Sequence, residues 1–473
     1  MVVISNRLPL RRGSGSGEAQ WVGTTGGLVS ALTPVLRGRS GVWVGWSGEV
    51  GDAELPDLYE GIALRGVPLS GEEYDDFYVG FANRTLWPLY HDGIRTPGFE
   101  RSWWAAYVAV NRRYADAAAA AAGPGATVWV HDYHLQLVPM MLRALRPDVR
   151  IGFFLHIPFP PQELFVQLPW RREIIEGLLG ADLIGFQVPG AVANFARLAR
   201  RLTDATGADG VLRYEGREIR VGAFPISIDA ADISERATSP AVVKRAHQIR
   251  RDLGDPDLVL LGVDRLDYTK GIEHRVRAMS ELFAEGTLAT PRHVMVQIAV
   301  PSREQDTHYR HERERLERLV GEVNGAYSQI GHTAIHYLHQ SVPTDELIAL
   351  YLAADVMLVT PLRDGMNLVA KEYVAARVDS TGSLVLSEFA GAARELRSAV
   401  LVNPHDLDGI KDAIRMVIDL DPARARSRMR SLRRVVQRHD VYAWAREFLS
   451  ALQRPAAVPC GPGAEVGRDA EDR

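Results

Sequence analysis

"DVMLVTPLRDGMNLVAKEYVAAR", residues 355–377, is the stretch that decides the fold. It opens on a short apolar run with strand character and closes on a run of good helix formers. Between them lies a polar loop of Arg363, Asp364, Gly365, Met366 and Asn367. Strand, polar loop, helix is the repeating half of a parallel α/β sheet. A helix start carries unpaired backbone N–H groups and the positive end of the helix dipole, which suits an anion. Yet Asp364 stands just before this helix and Glu372 within its first turns, so the ligand must need both amide donors and carboxylates.

The same alternation runs through the chain. The first half offers VVIS, GVWVGW, TVWVHD, RIGFFLHI, DLIGFQ and IRVGAFPI; the second offers LVLLGVD, HVMVQIAV, IHYLH, DVMLVTP, SLVLSE and AVLVNP. Runs this apolar, separated by helical patterns, predict buried parallel sheets with helices on both faces. A chain of 473 residues is too long for one ordinary core, so two doubly wound Rossmann-like domains facing a cleft are expected. The pattern is interrupted between 226 and 255. The expected division is a first domain over 1–230, a second over 231–440, a returning helix over 441–453 and a disordered tail over 454–473. The Gly/Ser stretch 11–18 reads as a mobile loop.

Composition bounds the function. Hydrophobic residues make up 46% and charged residues 24%, with a net charge of -4. No basic footprint for nucleic acid or a membrane surface is present, and no apolar run approaches the ~18–20 residues of a membrane span. The one cysteine, Cys460, excludes an intrachain disulfide or thiolate metal site and fits a reducing cytoplasm. There is no phosphate-binding Gly-rich Lys-Ser/Thr loop and no nucleophile elbow.

In open parallel sheets, ligands bind beyond the carboxyl ends of the strands. Arg7 follows the first strand. Gly26 and Gly27 precede a helical run, as a simple turn or as room for a close ligand. Asp132 follows the third strand and either caps a helix or accepts hydrogen bonds from hydroxyls. His131 and His134 lack a third ligand for a metal. His156 ends another strand, as a structural or a functional histidine. Arg265 and Lys270 flank a turn, paired with Asp264 and Asp267 or holding a pyrophosphate. Arg303 follows the next strand. His308 and His311 lie on a charged helix and read as a solvated face. A nucleotide sugar answers the opening puzzle. Its pyrophosphate takes loop amides from Asn367 to Val369, while Glu372 takes ribose hydroxyls and Asp364 the hexose.

The ordered motifs SNRLP, GGL, GWSG, NRTLWPLYH, HDYHLQLVP, FFLHIPFP, LPWRREII, DRLDYTKG, PLRDGMNLVAKEYVA and SEFAGAA resemble the retaining glycosyltransferases that make trehalose 6-phosphate. The resemblance implies a GT-B fold with a last helix crossing back to the first domain. It implies glucose transfer from a nucleotide-glucose donor, UDP-glucose foremost, to glucose 6-phosphate, with no metal and no cofactor, by a dimer or tetramer. It assigns Arg7 and Arg303 to the acceptor phosphate, with Tyr78 and Trp87 shaping that pocket and Asp132 on acceptor hydroxyls. Gly27 and His156 would contact the donor glucose or phosphates, and Arg265 and Lys270 the pyrophosphate. Asp364, Met366 and Asn367 would line the donor sugar, with amides from Leu368 and Val369, and Glu372 on the ribose. The catalytic set is Asp132, His156, Arg265, Lys270 and Asp364. A related synthase acting on glycerol 3-phosphate, or a silent sugar-phosphate sensor, is the alternative. The stretch LRRGSGSGEAQWVG departs from the pattern just before Gly27.

Overall fold

The computed structural model describes residues 1–13, 21–23, 29, 32–33, 36, 41–208, 210–303 and 307–454. Gly27, most of the Gly/Ser stretch, Cys460 and the tail from 455 onward lie outside the described residues.

Two sheets organise the chain. The first has ten strands, in the order Thr206–Ala208, Val211–Tyr214, Arg217–Ala223, Leu183–Phe186, Arg150–Phe154, Thr127–His131, Val2–Arg7, Val42–Trp46, Ile62–Gly66 and Leu58–Tyr59. Its central strands are parallel, and antiparallel hairpins close both edges. The second has six parallel strands, in the order Ile335–Leu338, His293–Val300, Leu258–Arg265, Val356–Val359, Ser383–Ser387 and Val400–Val402. Every apolar run read from the sequence is a strand here. Those runs are apolar because helices cover both faces, as buried Val3, Ile4, Val128 and Trp129 show. The added edge strands are too short to carry a period.

In chain order the second sheet reads 3-2-1-4-5-6, the doubly wound arrangement. Its switch point lies between Leu258–Arg265 and Val356–Val359. The first sheet reverses direction between Val2–Arg7 and Thr127–His131. Connections leave these paired strands toward opposite sides, so a crevice opens at each carboxyl end.

The helix Val441–Gln453 returns to the first sheet. Phe448 stacks on Trp129 with ring centres 4.6 Å apart, and Trp444 meets Phe154 edge-on at 5.2 Å. Gly152 and Gly185 make room for it: a Cβ at either would lie 2.8 or 2.7 Å from the Phe448 ring. At the helix's carboxyl end Arg150 donates to the Gln453 carbonyl at 2.6 Å and Arg220 to the Leu452 carbonyl at 3.2 Å. Cations there satisfy free carbonyls and the negative dipole end.

Candidate active site

The second switch point holds a closed set of charges. The strand Leu258–Arg265 runs into a single turn, Tyr268–Lys270. Lys270 Nζ donates to Asp364 Oδ2 at 2.7 Å, and both side chains are nearly buried. Asn367 Nδ2 donates to the same oxygen at 3.1 Å. Burial pushes the Asp364 carboxyl up, but Lys270, with His91 and Asn367, outweighs it and the net shift is downward. Asn367 sits at φ +80 and its Oδ1 accepts from Ala370 N at 3.1 Å, capping the helix Leu368–Ala376. The N–H groups of Leu368 and Val369 therefore open that helix, where no intrahelical acceptor exists. Met366 is buried and its carbonyl accepts from Ala392 N. Glu372 accepts from the Tyr351 hydroxyl at 2.9 Å, and burial pushes its carboxyl up.

Under this set lies a buried arginine. Arg275 is fully enclosed and donates to Asp264 at 2.8 Å, to Gln297 and Thr360 at 3.1 Å, and to the Lys270 carbonyl at 3.3 Å. It fixes the turn from below. The alternative left open by the sequence, Arg265 and Lys270 paired with Asp264 and Asp267, is not formed. Asp264 goes to Arg275, Asp267 to Arg303 and Lys270 to Asp364.

The first switch point is built from groups whose charged forms burial disfavours. Asp132 follows Thr127–His131 with φ +76, and its Oδ1 accepts from His156 N at 3.2 Å. Burial pushes its carboxyl up to about 6. His131 Nδ1 and His156 Nε2 share a hydrogen bond of 3.0 Å. Burial lowers both imidazoles, His156 to about 3, so both are neutral near pH 7. The two switch points meet here: a Cβ on Gly365 would lie 2.1 Å from the His156 carbonyl oxygen, so only glycine fits. A cavity lined by Ile157, Phe159, Gln187, Gly365 and Arg394 spans the same seam.

Three arginines from three strand ends converge on one aromatic group. Arg7 lies over the Trp46 ring at 4.6 Å and near Tyr78 at 6.0 Å. Tyr78 stacks on His134 at 5.8 Å. Burial, then Arg303 and Arg7 together, hold the His134 pKa well below its usual value. Arg303 covers Trp87 at 4.1 Å, and Arg265 lies over the same ring at 5.5 Å. Tyr78 and Trp87 are carried by Tyr74–Leu86, wound as a wider π-helix, and by the short helix that follows it. Such winding recurs at functional sites, and no residue pattern announced it.

Sequence reading missed four further residues. Asp267 and Tyr309 hold Arg303. Tyr133 donates to Asn83 at 2.9 Å and accepts from Arg303 at 3.4 Å. His91 donates from Nδ1 to the Trp87 carbonyl at 2.8 Å, with burial lowering its pKa to about 4. The motif NRTLWPLYH begins at Asn83 and ends at His91, but a buried histidine carries no distinguishing local signal. Among the described residues no group of three or more His, Cys, Asp or Glu side chains could hold a metal ion.

The profile of glycosyltransferase family 20 matches residues 1–454. The chain belongs to glycosyltransferase family 20. This family 20 chain is 56% identical over 462 residues to the trehalose-6-phosphate synthase of Mycolicibacterium smegmatis, covering 95% of this chain and 92% of that one. A solved α,α-trehalose-phosphate synthase (UDP-forming) from Burkholderia xenovorans, in complex with glucose-6-phosphate, superposes with a TM-score of 0.88 at 34% identity. It spans 96% of this chain and 99% of its own. An E. coli structure bound with UDP-2-fluoro glucose superposes equally well, with a TM-score of 0.88 at 35% identity, over 96% of this chain and 99% of its own. The fold is GT-B and the protein is a glycosyltransferase.

Proposed function

We propose that this enzyme transfers glucose from UDP-glucose to glucose 6-phosphate with retention, forming α,α-trehalose 6-phosphate and UDP. One observation carries the assignment of roles: Arg265 and Arg303 both lie over Trp87, Arg7 lies over Trp46 beside Tyr78, and Lys270 pairs with Asp364. Two separate anionic groups can be held within one crevice. Arg7 and Arg303 take the acceptor phosphate against Tyr78 and Trp87, and Asp132 takes acceptor hydroxyls. Arg265 and Lys270 take the donor pyrophosphate, with the amides of Leu368 and Val369. Asp364, Met366 and Asn367 line the donor glucose, His156 takes the donor's glucose or phosphates, and Glu372 takes the ribose.

The bond from glucose C1 to the UDP oxygen breaks, and a bond to the acceptor's anomeric oxygen forms on the same face. The acceptor hydroxyl's proton passes to the departing phosphate. Arg265 and Lys270 oppose the charge that develops there, a preorganised electrostatic contribution. Neutral His156 can bond hydroxyls without adding a competing charge.

Initial rates with glucose 6-phosphate, glucose and glycerol 3-phosphate at saturating UDP-glucose test the reading. Glucose 6-phosphate should be used far better than the others, because unphosphorylated glucose forfeits the charged hydrogen bonds from Arg7 and Arg303. Arg303→Ala should raise the KM for glucose 6-phosphate with the donor KM little changed. If glycerol 3-phosphate is preferred, the phosphate clamp stands and the acceptor assignment falls. Among the described residues no helix is long and apolar enough to cross a membrane. That absence and the single cysteine support a cytoplasmic site, and the family resemblance supports a dimer or tetramer. Fractionation and light scattering test these two points.

A further inference from the structure

Asp267 divides its two carboxylate oxygens between the two halves of the site. Oδ1 accepts from Thr269 N at 2.9 Å and from the Thr269 hydroxyl at 2.8 Å. Those bonds shape the turn that ends in Lys270, and the Thr269 carbonyl accepts from Leu362 N at 2.7 Å, at the start of the Asp364 loop. Oδ2 accepts from Arg303 at 2.9 Å and from the Tyr309 hydroxyl at 3.1 Å. Tyr309 also bonds Arg303. The carboxylate is 2% exposed, and Arg303 holds a left-handed φ of +51. A non-glycine residue in that region is strained and persists only where its surroundings fix it. Burial raises the Asp267 carboxyl, but Arg303, Arg265 and Lys270 outweigh it and keep it ionised.

We propose that Asp267 is a positioning residue that orients Arg303 for the acceptor phosphate and ties it to the turn carrying Lys270. This rests on the reading of Arg303 above. With Nη1 held by Asp267 and Tyr309, Nη2 at 3.4 Å from the Tyr133 hydroxyl and the face against Trp87, the donors left over are presented to a phosphate without a search through rotamers. The turn that carries Lys270 and the acceptor-side arginine are thus joined through a single carboxylate.

Asp267→Asn keeps an oxygen for Thr269 and removes the charge facing Arg303. The glucose 6-phosphate KM should rise about tenfold or more, in line with losing one charged hydrogen bond, while the UDP-glucose KM stays within about twofold. Tyr309→Phe removes one member without touching a charge, and should raise the same KM about threefold, as loss of a neutral hydrogen bond does. It keeps the test alive if the Asn variant melts too low to assay. The double variant Asp267→Asn with Arg303→Ala should bind glucose 6-phosphate no worse than Arg303→Ala alone, since a residue acting through another is non-additive with it. Additive effects, or donor and acceptor KM rising together, would overturn the proposal. If Arg303→Ala weakens acceptor binding while neither Asp267→Asn nor Tyr309→Phe does, the inference fails and the parent reading survives. If Arg303→Ala changes nothing, both fail.

Discussion

The two switch points share one topology and differ in chemistry. At the second, charges are buried and matched: Lys270 with Asp364, Arg275 with Asp264, Arg303 with Asp267. At the first, burial disfavours the charged forms. His131, His134 and His156 are pushed down and Asp132 is pushed up. A fixed charge in a closed site must have a partner, or desolvation drives it neutral. The paired side suits a ligand that is itself ionic. The neutral side suits hydroxyls, which need directional donors and acceptors.

The comparison can be broken in order of expected effect. Arg275→Met strips the buried partner from Asp264. It should lower stability by about 3–5 kcal/mol, the usual result of orphaning a buried charge, read as a large drop in the denaturation midpoint. A midpoint near wild type would show that the buried network is not needed. Lys270→Ala orphans Asp364 and, on the proposed roles, removes a pyrophosphate contact. Turnover should fall about a hundredfold, near 3 kcal/mol of transition-state stabilisation. Near-normal turnover measured as released UDP would remove Lys270 from the clamp.

The neutral side should reveal itself through pH. If Asp132 works as a carboxylate, kcat/KM for the acceptor should fall below pH about 6 by roughly tenfold per unit. Asp132→Asn should be slow and should lack that limb. The acceptor phosphate also titrates near this pH, so a limb that survives in the Asn variant belongs to the substrate. The buried histidines give a second signature. Their folded pKa values lie below the unfolded value of about 6.5, so the unfolded chain binds more protons as pH falls through that value. Stability held above pH 6.5 is lost on acidification, and the melting temperature should drop between pH 7 and 5.5. His156→Gln should flatten that slope; an unchanged slope would place the effect elsewhere. The smallest expected effect is none: exhaustive EDTA should leave the rate unaltered, because the roles proposed for Arg265 and Lys270 put cationic side chains on the phosphates. Loss of activity restored by magnesium would show that the paired side needs an ion as well.

The sequence carried much of this. Long apolar runs separated by helical patterns are legible because a strand buried on both faces has few residue types to choose from. Arg7, Asp132, His156, Arg265, Lys270, Arg303 and Asp364 could be picked out because each stands directly after such a run, where doubly wound sheets place their ligands. The capped turn at Asn367 was legible as a helix start. The π-helical segment before Trp87 was not; its Phe77 and Phe81 pack against the distant Tyr107, a contact that no local pattern reports.

What the chain alone determined, then, is the order of strands and helices and the residues offered at each strand end. Tertiary structure decided who partners whom. Lys270 and Asp364 are 94 residues apart, Asp267 and Arg303 are 36, and His131 and His156 are 25. The local reading would have paired Lys270 with Asp264 or Asp267. The sheet order instead seats Val356–Val359 beside Leu258–Arg265 and buries Arg275 beneath the turn. Arg275 takes Asp264, which leaves Lys270 to Asp364 and Asp267 to Arg303. A charge in a low-dielectric interior is settled by its nearest partner in space, and sequence distance does not enter that energy.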